Sequence, residues 1–310
     1  MKVLLSFDVE GDFHKYIHSP YIWHKLKKNY IKNEYFYTNS RLNANKNYIK
    51  WKIVNKLKPF TNKKEGFLNI INFLKKTQIP ASLNLCGYLY LKGKQKIDIQ
   101  MSWAIGRLKK DPFFWQNSKE EKDLHYSDII ESHDFVSNKN LDFGLHGFIH
   151  EALPLESPET RDLILEKGIV AAKEFGIKIK TFVPPFNMAF NKNEKEILNN
   201  LKKHKIKTLR IAGYDDFYNH FFHERKIMPI IKKNSINLVH ISSSIEGTFK
   251  QKQVFNIIDD FKKNYDKNKI FCIMAHDYTF KSNENLFFLY NELMKLNNNY
   301  PIKFTNLDKL

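Results

Sequence analysis

Residues 141–150 read LDFGLHGFIH, a short apolar stretch with one histidine directly behind it and a second histidine four residues later. The apolar part is typical of a buried strand. The spacing of His146 and His150 predicts a helical turn that carries both imidazoles on one side, where they could reach one cation. On this spacing alone, a metal site competes with a pair of ordinary solvated or packed histidines.

The N-terminal segment repeats this arrangement with carboxylates. KVLLSF at 2–7 predicts a buried strand, and Asp8, Glu10 and Asp12 follow it. Extended backbone would direct these three side chains to one side, where a bound cation would relieve their mutual repulsion. A simple acidic turn at Gly11 is the alternative interpretation.

Apolar strands and amphipathic helices alternate through the rest of the chain, which predicts parallel βα units. In such folds the chemistry gathers where the strands end. That edge would hold Asp8, His146, the segment 184–187 and His276. The predicted strands are 2–7, 81–91, 141–146, 179–185, 206–213, 235–243, 269–276 and 301–307, and the predicted helices are 65–77, 158–175, 192–204, 251–265 and 284–296.

The chain has 310 residues, 42% of them hydrophobic, which is enough for one large core. We therefore expect a single domain over 1–310, with insertions at about 13–64 and 92–138 where the alternation is lost. The net charge is +18, but only five of the 51 basic residues are Arg. Nucleic-acid modules favour Arg, so the charge indicates compositional drift and no nucleic-acid partner is expected.

Cys86 and Cys272 lie inside apolar runs, which indicates buried thiols and no disulfide framework. The apolar run at the N-terminus is too short for a signal peptide. No stretch approaches the ~20 apolar residues of a membrane span. We therefore expect a cytoplasmic protein without a membrane span, and nothing in the sequence indicates its oligomeric state.

Four motifs, SFDVEGD, LDFGLHGFIH, FVPPFN and IMAHD, together resemble the polysaccharide deacetylases of the NodB-homology type, also called carbohydrate esterase family four. The resemblance runs in the correct order from residue 3 to about residue 280, interrupted by the two insertions. It implies an α/β fold, a distorted (β/α)7 barrel. It also implies a hydrolase that uses one divalent metal per chain, most often Zn²⁺, to remove acetyl groups from an N-acetylated sugar or glycan.

The resemblance implies a role for each of five residues. Glu10, His146 and His150 would be the metal ligands. Asp8 would be the general base that takes a proton from the metal-bound water, and His276 would be the general acid that protonates the leaving amine.

The proline-rich motif implies contacts with the substrate. Pro185, Phe186 and Asn187 would line the groove, and a backbone amide near Phe186 and Asn187 would help to hold the oxyanion. In the same motif the family has an Arg that braces the catalytic aspartate, and here Val183 takes its place. Arg210, at the end of another predicted strand, could supply that cation.

The acidic motif also departs from the family pattern. Val9 replaces the second of two adjacent aspartates, so the carboxylate ligand would be Glu10, with Asp12 as the fallback. The family also has an acidic residue that orients the histidine of the last motif, here His276, and Asp215 or Asp216 would take that role. Two other functions stay open: an amidohydrolase of a small non-sugar amide, and a catalytically inactive glycan-binding barrel.

Overall fold

The computed structural model describes most of the chain outside the two predicted insertions. The single-domain prediction over 1–310 stays a prediction, since the described residues other than Lys63 belong to one compact unit, Met1–Gly11 with Lys64–Leu310, and Asp12–Lys63 is assigned to another. Asp12, Asp215 and Asp216 lie outside the described residues. Those described are 1–11, 63–92, 126–133, 138–151, 153–187, 189–190, 193–212, 229–245, 247 and 249–310.

The described residues form ten strands and six α-helices. The strands are β1 Lys2–Val9, β2 Ala81–Leu85, β3 Leu141–Leu145, β4 Thr181–Phe182, β5 Thr208–Ile211, β6 Ile231–Lys233, β7 Ile236–His240, β8 Ser243–Ile245, β9 Ile270–His276 and β10 Lys303–Thr305. The helices are α1 Lys63–Thr77, α2 Ser127–Ser132, α3 Pro158–Lys173, α4 Glu194–Lys203, α5 Gln251–Lys263 and α6 Asn283–Leu296.

The strands build one curled sheet in the order β6-β7-β5-β4-β3-β2-β1-β9-β8, with β10 also paired to β1. Among the strands that the structure describes, only the β6–β7 pair is antiparallel. Ile241 and Ser242, between β7 and β8, donate their amides to Ile211 O of β5 at 2.9 Å and Cys272 O of β9 at 2.8 Å. The β7–β8 segment therefore passes from β5 to β9, so that β1, β2, β3, β4, β5, this segment and β9 surround the core. This arrangement confirms the α/β class and the distorted barrel.

Helix α3 shows how local sequence sets the boundaries of an element. The Ser157 side chain accepts a hydrogen bond from Thr160 N at 3.2 Å, and Pro158 occupies the first turn, where a missing N–H costs nothing. Gly176, just beyond the helix, takes a φ of 71°, which suits glycine. The predicted helix over 158–175 is therefore confirmed within two residues.

Several predicted strands are shorter in the structure, β2 and β4 by the most residues. Strand β2 ends at Leu85, not at residue 91, because Gly87–Tyr90 turns into a 3-10 helix. A Cβ at Gly87 would lie 2.5 Å from Phe148 Cδ2, so glycine permits this close packing. Strand β4 contains only Thr181–Phe182, since the prolines that follow cannot donate to a ladder.

Two elements were not predicted at all. Helix α2 lies inside the stretch 92–138 that was expected to be irregular. Strand β6 pairs with β7 through a turn in which Asn234 and Ser235 have φ angles of 49° and 67°. Polar residues tolerate this left-handed turn, but a three-residue strand is too short to show a period.

The C-terminal segment closes the end of the barrel at which the strands begin, opposite their carboxyl ends. Leu307 N donates to Ser82 Oγ at 2.9 Å, and Thr208 Oγ1 donates to Leu307 O at 3.3 Å. We call this closing C-terminal segment the plug. Leu307 of the plug also belongs to a cluster of buried apolar residues, whose members are Leu4, Val183, Val239, Ile270, Cys272 and Leu307.

Cys86 and Cys272 are both buried and form no disulfide bond, as predicted. Among the described residues, none of the helices is long and apolar enough to cross a membrane. The cytoplasmic location stays a prediction.

Candidate metal centre

Three buried side chains meet where β1 and β3 end. One ligand atom from each of Glu10, His146 and His150 lies within 4.8 Å of the other two. Glu10 Oε1 is 3.6 Å from His146 Nε2 and 3.0 Å from His150 Nε2. The structure therefore brings together the three residues that the sequence proposed as metal ligands.

His146 is prepared to donate a lone pair. Its Nδ1 lies 2.8 Å from the carbonyl oxygen of Val183, which can only accept, so Nδ1 carries the proton and Nε2 does not. Nε2 is buried and makes no hydrogen bond with any described residue. Burial lowers the pKa of His146 to about 4, so the ring is neutral at pH 7. A carboxylate and two imidazoles are a donor set that Zn²⁺ accepts.

The turn after β1 holds Glu10 in place. Tyr88 donates its hydroxyl to Glu10 O at 2.5 Å, and Gly11 N donates to Asp277 Oδ2 at 3.1 Å. Gly11 has a φ of 61°, and a Cβ there would lie 2.5 Å from the Tyr88 hydroxyl. Only glycine therefore fits this turn, which binds the ends of β1, β2 and β9 together.

The segment between the histidines is a bend, so the predicted helical turn is wrong. Gly147 and His150 have φ angles of 71° and 70°, which no α-helix contains. The carboxylate of Glu151 accepts hydrogen bonds from Phe148 N at 2.7 Å and Ile149 N at 2.9 Å. Burial raises the pKa of Glu151 to about 7, although the hydrogen bonds from these amides act to lower it. The two imidazoles converge, with ring centroids 4.8 Å apart, because the loop curls around a carboxylate.

Asp8 forms a buried ion pair with Arg210. The guanidinium donates from one nitrogen to Asp8 Oδ1 at 2.8 Å and from the other to Oδ2 at 2.5 Å, and it also donates to Ser6 Oγ at 2.7 Å. Burial alone would raise the pKa of Asp8, but the Arg210 charge lowers it to about 2. The carboxylate is therefore ionised at neutral pH, and the pair spans the barrel interior from β5 to β1.

Asn84 on β2 supports this pair. Its Nδ2 donates to Asp8 Oδ1 at 3.1 Å and to Ser6 Oγ at 2.9 Å. Gly144 on β3 leaves the space that Asn84 occupies, because a Cβ there would lie 2.4 Å from Asn84 Oδ1. The aspartate thus has one charged partner and one amide partner, each from a different strand.

His276, the last residue of β9, is the third histidine beside Glu10. Its Nε2 lies 3.4 Å from Glu10 Oε1. Its ring stacks on Tyr278 with a centroid separation of 4.7 Å and an interplanar angle of 15°. His276 therefore lies beside the proposed metal ligands.

The proline-rich segment lies against the histidine loop. Pro185–Asn187 form a 3-10 turn, and a Cβ at Gly147 would lie 3.1 Å from Pro185 Cγ. Asn187 has a φ of 56° and donates its N–H to Pro184 O at 3.1 Å. Of the two amides proposed for the oxyanion, that of Asn187 is therefore used within the turn itself.

Three residues of the site were missed from the sequence: Asn84, Tyr88 and Glu151. Asn84 lies inside a predicted strand, where a polar residue among apolar ones was a signal that could have been used. Glu151 directly follows a proposed ligand, but its inward direction depends on the left-handed turn. Tyr88 was assigned to a strand that ends before it.

No protein-family profile and no curated protein matches this chain, whereas its fold matches solved structures. A protein assigned as a polysaccharide deacetylase from Mycobacterium smegmatis has 12% sequence identity and a TM-score of 0.57, covering 99% of this chain and 87% of that one. The 4-alpha-glucanotransferase from Thermococcus litoralis has 10% identity and a TM-score of 0.51, and the match covers 100% of this chain but only 40% of that one. At such identities the likeness shows the fold alone, and the fold is that of the polysaccharide deacetylases.

Proposed function

We propose that this protein is a metal-dependent deacetylase that removes an acetyl group from an N-acetylated sugar or glycan. The observation that carries the proposal is the convergence of Glu10, His146 and His150 at a strand edge that also holds Asp8, ionised by Arg210. The deacetylase fold supports the proposal, and the residues themselves supply the chemistry.

The donor set fits one divalent cation, and Zn²⁺ is the proposed one. His146 presents a buried Nε2 whose proton is excluded by the Nδ1 hydrogen bond, and Glu10 supplies the negative charge. Three protein ligands leave positions for water and substrate. A cation bound there supplies Lewis acidity toward the acetyl carbonyl and lowers the pKa of a water molecule.

Asp8 is proposed as the general base. It is ionised, so it can accept the proton of the attacking water. Arg210 has two consequences for this step. It keeps Asp8 unprotonated when the site is buried, and its two-point contact fixes the direction of the carboxylate.

His276 is proposed as the general acid. An amine leaves readily only when it receives a proton, and a protonated imidazole can donate one. Tyr278 stacks on the ring and thereby restricts its orientation. The backbone N–H of Phe186 is the proposed oxyanion donor, since the neighbouring amide of Asn187 is bonded to Pro184.

Metal content and acetate release test the proposal. The purified protein should bind one Zn²⁺ per chain and release acetate from a member of a panel of N-acetylhexosamine glycans. Release only from small amides would instead favour the amidohydrolase. His146→Ala should lose the metal, and Asp8→Asn should keep it but lose about 10²–10⁴ in rate, the usual contribution of a general base.

Asp142→Asn is the matched control for Asp8→Asn. Asp142 is also a buried carboxyl inside the barrel, but it contacts none of the proposed ligands. Its substitution should leave the rate unchanged. A protein that binds no metal, or an Asp8→Asn variant as fast as the control, would contradict the proposal.

A further inference from the structure

The loop that joins the two histidines surrounds one carboxylate. Phe148 N donates to Glu151 Oε2 and Ile149 N donates to Glu151 Oε1. The N–H of Glu151 itself bonds to the same carboxylate. The side chain is fully buried, and the converging amide N–H groups form a concave site that suits a carboxylate.

The backbone of this loop needs such support. His150 has a φ of 70°, a conformation that costs free energy for any residue with a side chain. Gly147 has a φ of 71°, and a Cβ there would lie 2.7 Å from Glu151 Oε2. The glycine therefore gives the carboxylate the room to sit inside the turn.

Outside contacts hold other atoms of the same loop. Gly87 N donates to Gly147 O at 2.9 Å, and Tyr88 N donates to Phe148 O at 3.0 Å. These bonds use the carbonyl groups, whereas Glu151 binds the amides of Phe148 and Ile149. The carboxylate thus makes the contacts that curl the chain back between one histidine and the next.

We infer that Glu151 is a positioning residue, whose carboxylate holds the left-handed turn that directs His150 toward Glu10. Both of its oxygens are used by amides, so it serves the ligands and is not one of them. The inference rests on the proposed function, because that function makes the two histidines metal ligands. It adds a residue that the sequence motif did not identify.

Glu151→Gln tests the inference with little change of shape. The new side chain has one acceptor oxygen and one NH₂ donor, so one of the two loop amides faces a donor instead of an acceptor. The dissociation constant for Zn²⁺ alone, measured by competition with a chromogenic chelator, should rise about 10- to 100-fold, as is usual when the support of a ligand is lost. Asp142→Asn, the matched buried carboxyl, should bind Zn²⁺ like the wild type.

Two further readouts separate positioning from general folding. The absorption spectrum of bound Co²⁺ reports ligand geometry, and it should change in Glu151→Gln but not in Asp142→Asn. In the metal-free protein, the amides of Phe148 and Ile149 should exchange hydrogen faster in Glu151→Gln than in the wild type. Glu151→Asp keeps the charge but is one methylene shorter, so it should lie between the two and serves if Glu151→Gln does not fold.

The outcomes distinguish the inference from the function beneath it. A wild-type protein and an Asp142→Asn control that both bind no Zn²⁺ would overturn the proposed function, and the inference with it. A folded Glu151→Gln variant whose Zn²⁺ affinity and Co²⁺ spectrum equal those of the wild type would overturn the inference alone. Weaker binding with a changed spectrum and faster exchange of the two amides supports it.

Discussion

Two buried carboxyl groups inside the same barrel have opposite surroundings. Asp8, near the edge that carries the candidate metal centre, pairs with the guanidinium of Arg210. Asp142, nearer the plugged end, accepts hydrogen bonds only from the hydroxyls of Ser82 at 3.1 Å and Thr181 at 3.2 Å. Burial is nearly complete for both, with 1% and 5% of each residue exposed.

The pKa values of the two groups separate accordingly. Burial raises the pKa of Asp142 to about 6, since two hydroxyls offset only part of the lost hydration. The pKa of Asp8 falls to about 2, because the Arg210 charge outweighs the same burial. The comparison teaches that a direct cation partner decides whether the pKa of these two buried aspartates falls below or rises above its ordinary value. Arg210 contacts Asp8 directly, whereas no cation among the described residues contacts Asp142.

Removing the cation should break the contrast and has the largest expected effect. In Arg210→Met, Asp8 keeps its burial but loses its counter-charge, so its pKa should rise as that of Asp142 does. Loss of one partner of a buried pair costs about 3–5 kcal/mol, which urea unfolding at pH 7 would measure. The double variant Arg210→Met with Asp8→Asn should recover part of this loss. A double variant no more stable than Arg210→Met would show that the charge is not the cause.

The elements that the sequence predicted best are those with local signals. The strand ends at Asp8, His146 and His276 follow from apolar runs that stop at a polar residue, and parallel pairing then places them at one edge. The spacing of His146 and His150 correctly predicted that their side chains lie close together, but it predicted the wrong backbone conformation between them. A bend supported by a buried glutamate brings them together where a helical turn was expected.

The remaining parts of the site depend on contacts between distant segments. Arg210 and Asp8 are 202 residues apart in the chain, and no period relates them. The sequence could name Arg210 as a possible cation at a strand end. Its contact with Asp8 could not be predicted, because it depends on the curled sheet that brings β5 and β1 to face each other. The same holds for Asn84, whose place depends on the absent side chain of Gly144 on the next strand.

The pH dependence of stability should sharpen the contrast, since the two groups give slopes of opposite sign. The folded pKa of Asp142, about 6, lies above its ordinary value of 3.8, so the folded state binds the extra proton. The contribution of Asp142 to stability should therefore fall as pH rises from about 4 to 6, by on the order of 3 kcal/mol. His146, whose folded pKa of about 4 lies below its ordinary value, contributes a rise over the same window, so the Asp142 slope is read from the difference between the wild type and a variant without this carboxyl. Asp8 acts in the neighbouring window: its stabilisation is lost as pH falls from about 4 to 2.

Asp142→Asn isolates the first of these slopes. The free energy of unfolding of the wild type minus that of this variant, both from urea unfolding, should decline between pH 4 and 6, while both proteins should lose stability below pH 4. A wild-type curve that rises through pH 4 to 6 as steeply as that of Asp142→Asn would contradict the raised pKa of Asp142.

Filling the space at Gly144 should disturb Asp8 by a smaller amount and through packing alone. In Gly144→Ala, the new methyl would overlap Asn84 Oδ1. The Asn84 side chain cannot easily move away, because its Nδ2 donates hydrogen bonds to Ser6 and Asp8. Overpacking of this kind costs about 1–3 kcal/mol in thermal or urea unfolding. In an Asn84→Ala background the same change should cost less, because the overlapping atom is gone. Equal costs in the two backgrounds would place the strain elsewhere.

The smallest expected effect concerns the plug beneath Asp142. Lys180 Nζ donates to both oxygens of Asp308 at 2.8 and 2.7 Å, but the pair is partly exposed, so Asp308→Asn should change stability at pH 7 by at most about 1 kcal/mol. Its more informative consequence is electrostatic: the charge of Asp308 raises the pKa of Asp142, and that of Lys180 lowers it. Asp308→Asn should therefore move the Asp142 transition to lower pH and Lys180→Met should move it to higher pH, as read from unfolding between pH 4 and 6. Shifts in the same direction would mean that Asp142 responds to a general loosening of the plug and not to the two charges.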